Sequence, residues 1–474
     1  MAFGWTLHGD GKSLAPGEVV RPDERLSWGR TVGLGAQHVV AMFGATFVFP
    51  LIMGLNPQLA ILMSGIATIC FLLIVGGKVP SYLGTSASFV GGVAAIRAQG
   101  GDSPDVTGAI LVAGIVLALV GVVIHYMGSA IVYKVLPPAV TGAVVMLIGF
   151  NLAPVVADIY WPQDQWVALA TMVFVIVVSL ASRGFLGRIA IFLGLVFGYA
   201  LSWVADKAFG QITSFDAAAG EVTTHSRTNF SNIADFPLFG LPPSTGSLGP
   251  DGKPMVGFHA PSISLTFVLL VLPAVIALIA ENAGHVKAVA EMTGADLDPV
   301  MGRAIAADGV GTSLASLVGG SPTTTYAENI GVMAATRVYS TAAYYVAAIV
   351  AIAFGFSPKF GALVSSTPGG VLGGITVVLY GMIGLLGAKI WKENGVDFGN
   401  PVNLVPLAAG IVIAIGNTEL KFTDTFSLGG IALGTIVAVA GWHLAKALAP
   451  AHLRDAAVGG TSIVVDAPGA YKEP

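Results

Sequence analysis

Two carboxylates stand where an apolar chain offers them no obvious partner. Glu281 closes the apolar run from Val268 to Ala280, and Glu328 sits in the polar stretch Ser321-Pro322-Thr323-Thr324-Thr325-Tyr326-Ala327-Glu328-Asn329. A carboxylate inside a bilayer is costly unless it is protonated or paired, so each is a functional candidate. His285 follows Glu281 at i+4, on the same helical face. His38 lies in Gln37-His38-Val39-Val40-Ala41, and Asp308 in Ala307-Asp308-Gly309-Val310-Gly311. Either histidine can be a working group, a hydrogen-bonded interior side chain or a helix-end group. Asp308 reads first as a cap or an inter-helix bond. No bond-breaking machinery accompanies these residues. The sequence has no Gly-x-Ser-x-Gly elbow, and Gly33-Leu34-Gly35 lacks the third glycine of a dinucleotide fingerprint. The single cysteine, Cys70, can form no internal disulfide, and no Cys/His cluster suggests a metal. The chain therefore reads as a non-enzyme without a cofactor, and uphill transport by it must draw on an ion gradient.

The elements that position these residues are membrane spans. Of 474 residues 55% are hydrophobic and only 10% charged, against about 25% charged in soluble proteins. So few charges cannot cover a water-facing surface, and the bilayer is the solvent that suits them. The 62 glycines suit closely packed membrane helices. A net charge of -4 argues against a nucleic-acid partner. Reading for runs of roughly 20 apolar residues gives about fourteen segments. With the N-terminus inside, the cytoplasmic side receives roughly 16 of the 22 basic residues, among them Arg21, Arg25, Arg30, Lys78, Lys287, Lys389, Lys392 and Lys446. The N-terminal residues carry no signal-peptide pattern, so the first span is expected to act as an uncleaved insertion signal.

The only long polar interruption divides the spans into seven plus seven, which inverts the second set relative to the first. The expected organisation is a cytoplasmic N-terminal segment (1–30), a first repeat (31–205), an extracytoplasmic loop (206–260), a second repeat (261–449) and a cytoplasmic, disordered tail (450–474). Transporter sites form where short, interrupted segments occupy matching positions in the two repeats. The third segment, Ser81-Tyr82-Leu83-Gly84-Thr85-Ser86-Ala87-Ser88-Phe89, and the tenth, around Thr323 to Asn329, are such a pair. Their Ser, Thr and Tyr runs favour extended backbone, which is tolerated at membrane depth only where buried or lining a cavity. Two facing strands, each leading into a half-helix N-terminus, would offer donors to a planar polar ligand. The alternative is a pair of re-entrant structural loops.

These residues also carry a resemblance. Glu328-Asn329-Ile330-Gly331 followed by Thr336-Arg337 resembles the signature of the nucleobase–ascorbate transporters (nucleobase:cation symporter-2). Gln37-His38 with Ala41 to Thr46 resembles that family's first helix, and Glu281-Asn282-Ala283-Gly284-His285 its eighth. The resemblance runs from about Leu26 to Ala449 and includes uracil and xanthine permeases. It implies an all-α polytopic fold of fourteen segments with a core (segments one to four and eight to eleven) and a gate (five to seven and twelve to fourteen). It implies that Glu281 and Glu328 bind the base, that backbone at Ala87 and Ala327 meets its carbonyl oxygens, and that Tyr326 and Ala45 pack against its ring. Glu281 is the implied proton-coupling carboxylate, with His38 and His285 in support. The implied function is proton-coupled uracil uptake across the cytoplasmic membrane by a homodimer. The other readings are a xanthine or other purine symporter, a passive facilitator, and an anion carrier on the same fold. Uracil permeases of this family usually have Phe where Ala87 stands and Gly where Ala327 stands. The first change widens one wall of the pocket and the second trims the other.

Overall fold

The computed structural model describes residues 4–456 except 13, 16, 183–184, 217–219, 231–232, 250–251, 253 and 424–425. Of the tail expected to be disordered, Ala451–Ala456 is helical, and the rest lies outside the described residues. Helices dominate. In chain order the principal ones are α1 (Trp28–Met53), α2 (Pro57–Ile74), α3 (Val90–Ala98), α4 (Ser103–Met127), α5 (Pro138–Phe150), α6 (Gln165–Ala181) and α7 (Ala190–Phe209). After the long loop come α8 (Pro273–Thr293), α9 (Asp298–Leu317), α10 (Ala327–Thr336), α11 (Thr341–Gly355), α12 (Gly369–Glu393), α13 (Pro401–Ile415) and α14 (Gly430–Leu448). Among the described residues, eight helical stretches are long and apolar enough to cross a membrane, or nine if α11 is joined to Pro358–Ser365 across an 85° bend. This is a multi-pass membrane protein.

Local chemistry sets the helix ends. The Asn56 side chain accepts from the Leu59 N–H at 2.8 Å, with Pro57 at the first helical position of α2. Asp102 and Asp105 exchange side-chain and backbone bonds in a capping box at the start of α4. Gly54 closes α1 in the left-handed region, at φ 66°.

The glycines are concentrated where helices cross. A methyl on Gly309 of α9 would meet the Gly114 carbonyl of α4 at 2.6 Å, and one on Gly121 of α4 would collide with the Ala306 backbone. Gly142 and Gly149 of α5 face Gly384 and Gly387 of α12 in the same way. Lipid tails are as apolar as leucine, so hydrophobicity alone does not join helices in a bilayer. Backbone approach through small residues does.

Short strands complete the fold. β1 (Thr6–Leu7) pairs in parallel with β2 (Glu24–Arg25). β3 (Leu83–Thr85) pairs antiparallel with β6 (Thr323–Thr325) in the protein centre, while β4 (Ile212–Asp216) and β5 (Glu221–His225) form a hairpin in the long loop. β7 (Glu419–Thr423) and β8 (Phe426–Gly429) form another hairpin between α13 and α14. The sequence reading contained the central pair but neither hairpin. Helix α8 runs to Thr293 and carries both Glu281 and His285 well inside it. The N-terminal segment is folded too. Val20 is fully buried and bonds to both sides of Val338, from its N–H to the Arg337 carbonyl and from the Tyr339 N–H to its own carbonyl.

These glycine contacts give a direct test. Gly121→Leu forces a side chain against the α9 backbone, which cannot swing aside as a side chain could. We expect a loss of about 1–3 kcal/mol or more, read as a lower thermal unfolding midpoint in detergent. An unchanged midpoint would contradict the close α4–α9 approach.

Candidate functional site

The third and tenth segments meet at the centre. Their register places Leu83 opposite Thr325, Gly84 opposite Thr324 and Thr85 opposite Thr323. The pairing extends one bond at each end, with Ser86 N–H to the Pro322 carbonyl at 2.9 Å and Tyr326 N–H to the Tyr82 carbonyl at 3.0 Å. These strands are three residues long, and several of their remaining groups are satisfied by side chains of neighbouring helices. Thr68 of α2 accepts from the Leu83 N–H at 2.9 Å. Thr312 of α9 accepts from the Thr323 N–H at 3.1 Å and donates to its carbonyl at 2.9 Å. Gly84 has to be glycine here, because a methyl would strike the Tyr326 ring at 2.5 Å and Thr46 Oγ1 at 2.6 Å. The Tyr326 hydroxyl donates to the Thr85 carbonyl at 2.8 Å and accepts from Thr46 Oγ1 at 3.2 Å. That ring is thus fixed across the strand pair.

Both strands lead into short helices, α10 directly and α3 through a 3-10 turn at Ala87–Phe89. The 3-10 turn, the first turn of α10 and α8 border a cavity of about 450 Å³. The cavity brings together Ala45, Ala87, Glu281, His285, Tyr326, Ala327 and Glu328, seven of the eight residues to which the resemblance gives a binding or coupling role. Glu328 is exposed to this space although Asn329 and Ile330 beside it are buried. The eighth, His38, lies off the cavity and is buried. The Asn329 amide donates to its backbone carbonyl at 3.0 Å and lies 3.2 Å from its Nδ1, while its ring sits 4.3 Å from that of Tyr344. His38 therefore holds Asn329, the neighbour of Glu328.

Behind the cavity runs a buried polar chain. His285 Nδ1 is 2.7 Å from Thr325 Oγ1, and Thr325 donates to Asn282 Oδ1 at 3.1 Å. Asn282 donates in turn to Asp308 Oδ2 at 2.6 Å, which bonds α8 to α9. The Thr324 hydroxyl lies at the end of this chain, between the carboxylates of Asp308 and Glu281.

The opposite wall is apolar, built from Val145 and Ile148 of α5 with Leu379, Met382 and Ile383 of α12. Sequence reasoning missed these residues, because inside an apolar run nothing separates a cavity wall from a lipid-facing side. It also missed Phe49, whereas Thr85 and Ser88 lie in the third segment it picked out. The cavity follows α8 from Ala280 to Ala288 and α12 from Leu379 to Ile390, so it opens toward the C-terminal ends of both helices. Lys389 stands at that mouth, 3.4 Å from Glu393. One wall thus offers carboxylates and helix N-termini, and the other offers apolar surface. That arrangement suits a flat ligand with polar edges and needs no reaction.

The Tyr326 hydroxyl can be tested alone. Tyr326→Phe keeps the ring but strands the buried Thr85 carbonyl, at a cost of about 1–3 kcal/mol. The expected readout is a lower unfolding midpoint without ligand. An unchanged midpoint would mean that this hydrogen bond does not hold the strand pair.

Comparison with known proteins follows this geometry. Residues 29–422 match the model of the Permease family (Xan_ur_permease). The chain is 42% identical over 428 residues to the putative pyrimidine permease RutG of Escherichia coli K12, covering 89% of this chain and 90% of that protein. It is 36% identical over 431 residues to the uracil permease of Bacillus caldolyticus, covering 89% and 93%. Among solved structures, murine Solute Carrier 26 family member A9, an anion transporter in the inward-facing state, superposes with a TM-score of 0.61 at 12% identity, over 91% of this chain and 69% of that one. A second structure, of SLC26A9, gives 0.57 at 11% identity, with this chain covering 64% of that chain's length. At such identity the likeness is one of fold.

Proposed function

The chain belongs to the Permease family, and from that premise we propose that it takes up uracil by proton symport across the cytoplasmic membrane. The observation that carries this reading is the pairing of two carboxylates, Glu281 and Glu328, with two half-helix N-termini around one cavity. Uracil presents two N–H donors and two carbonyl acceptors in a single plane. Carboxylates accept from the N–H groups, and backbone N–H groups at Ala87 and Ala327 donate to the carbonyls. A base lacking either set leaves buried partners unpaired and is rejected. Tyr326 and Ala45 bound the ring faces. Relatives named as uracil permeases support the substrate. Two carboxylates in the cavity argue against an anion, whatever the fold likeness.

The transport cycle we infer needs fourteen segments in two inverted repeats. The helix contacts support it. α2 packs on α11 as α9 packs on α4, and α6 packs on α7 as α13 packs on α14. Exchanging the first and second seven turns each contact into another. Contacts also cluster into a core (α1–α4 with α8–α11) and a gate (α5–α7 with α12–α14). With Lys389 and Lys392 on the cytoplasmic side by charge bias, the cavity faces inward and both termini are cytoplasmic. Glu281 takes a proton with the substrate outside and returns it inside. His285 and the Thr325–Asn282–Asp308 chain support this group from behind, with the Thr324 hydroxyl standing between Asp308 and Glu281, and His38 acts through Asn329. The gate also supplies the surface for a homodimer.

Two substitutions separate binding from coupling. Glu328→Gln keeps the shape but replaces an acceptor edge by a mixed one. Uracil affinity should fall at least about tenfold, the scale of losing a charge-assisted bond of roughly 1.5–3 kcal/mol. Unchanged affinity by calorimetry would remove Glu328 from the site. Glu281→Gln imitates a permanently protonated group. Wild-type liposomes should acidify as uracil enters, whereas the variant should not, and any binding it keeps should lose its pH dependence. Proton flux persisting in Glu281→Gln would place the coupling group elsewhere.

A further inference from the structure

At the end away from Lys389, the cavity closes where core and gate meet. Phe49 of α1 stacks on Tyr380 of α12, with ring centroids 6.3 Å apart and planes within 9°. Beside the stack lies α3, the half-helix that begins just after Ala87. Two adjacent glycines of α3 face opposite ways. A methyl on Gly92 would meet the Leu270 carbonyl oxygen and Val271 Cγ1, each at 2.8 Å, in the helical turn Leu265–Val271 that precedes α8. A methyl on Gly91 would instead meet Asn151 Nδ2 at 2.6 Å and Ile431 Cγ2 at 3.0 Å. Asn151 caps α5 and Ile431 lies in the first turn of α14, so both belong to the gate. Gly92 is thus a contact within the core, and Gly91 is a contact between core and gate.

The backbone does not ask for glycine at 91. The residue is helical, and it is not among the glycines with positive φ. Glycine inside a helix disfavours it by about 1 kcal/mol relative to alanine. The space beside it is filled by two side-chain ends, Asn151 Nδ2 and Ile431 Cγ2, which a larger side chain at 91 would have to push away.

We propose that Gly91 is the closure residue of this transporter. Its bare backbone lets the half-helix seat against Asn151 and Ile431 and seal the site on the side opposite Lys389. The seal opens when substrate enters from that side. This rests on the core-and-gate reading above. Gly91 lies one turn beyond Ala87, so the backbone that receives the substrate and the backbone that makes the seal move as one piece. A side chain at 91 props core and gate apart and holds the protein in the state open on the far side.

The test uses Gly91→Val in a Cys70→Ser background, with Leu386→Cys as a reporter in the open cavity. Uptake of labelled uracil should fall at least about tenfold while uracil binding persists, and alkylation of the reporter from the Lys389 side should slow by about the same factor as the population shifts. Adding Ile431→Ala, which makes room across the seal, should restore uptake in part. A merely misfolded variant would not be rescued from the gate. The proposal is overturned if Gly91→Val transports at the wild-type rate, if it loses binding with the reporter fully reactive, or if Ile431→Ala gives no rescue. Absence of uracil binding by the wild type would refute the substrate reading instead, and the alkylation contrast would still report on the seal.

Discussion

Backbone polar groups cannot be left unpaired at membrane depth, and this constraint organises the whole molecule. A helix satisfies its own groups, but a binding site needs some of them free for a ligand. The protein resolves the conflict by breaking two spans at their middle. The broken ends form a three-residue strand pair that satisfies most of the freed groups. Thr68, Thr312 and the Tyr326 hydroxyl take up others. What remains is the turn at Ala87 and the first turn of α10, both bordering one cavity. The polar side chains around the strands are therefore structural first, and the proposed ligand site is what their pairing leaves over.

The same geometry gathers the helices into two packed groups. Glycine seams between α4 and α9 and between α5 and α12 bring backbones into direct contact, which makes each group a stiff unit. The cavity lies between these units, with its polar wall on one and its apolar wall on the other. A polar wall can hold a ligand while an apolar one slides past it without breaking hydrogen bonds. On the proposed reading this asymmetry permits transport: specificity travels with the core, and the gate supplies a surface that does not compete for the substrate.

Much of this was legible in the sequence, for physical reasons. Glu281, Glu328 and the two Ser/Thr/Tyr runs stand out because polar residues in apolar runs are expensive and seldom accidental. The structure brings them to one cavity. The register of Leu83 on Thr325 was not legible, because strands of three residues carry too short a pattern to fix it. His38 could be a working group or an interior hydrogen-bonding side chain from its place in the sequence, and its face of α1 turns to Asn329 and Tyr344. The partner of Asp308 could not be read either, since Asn282 is 26 positions away on another helix. The hairpins β4–β5 and β7–β8 are mostly exposed loops whose alternation resembles that of ordinary polar linkers. The glycines announced close packing by their number, but which seams they line depends on tertiary pairing.

The central claim is that a carrier alternates around this cavity with uracil bound to its polar wall. Counterflow in proteoliposomes tests it most directly. Vesicles loaded with unlabelled uracil should take up external labelled uracil faster than empty vesicles, because a loaded site returns more readily than an empty one, and collapse of the proton gradient should leave this exchange intact. Uptake that ignores internal uracil would indicate a passive pore, and uracil uptake no faster than in protein-free vesicles would contradict the account outright.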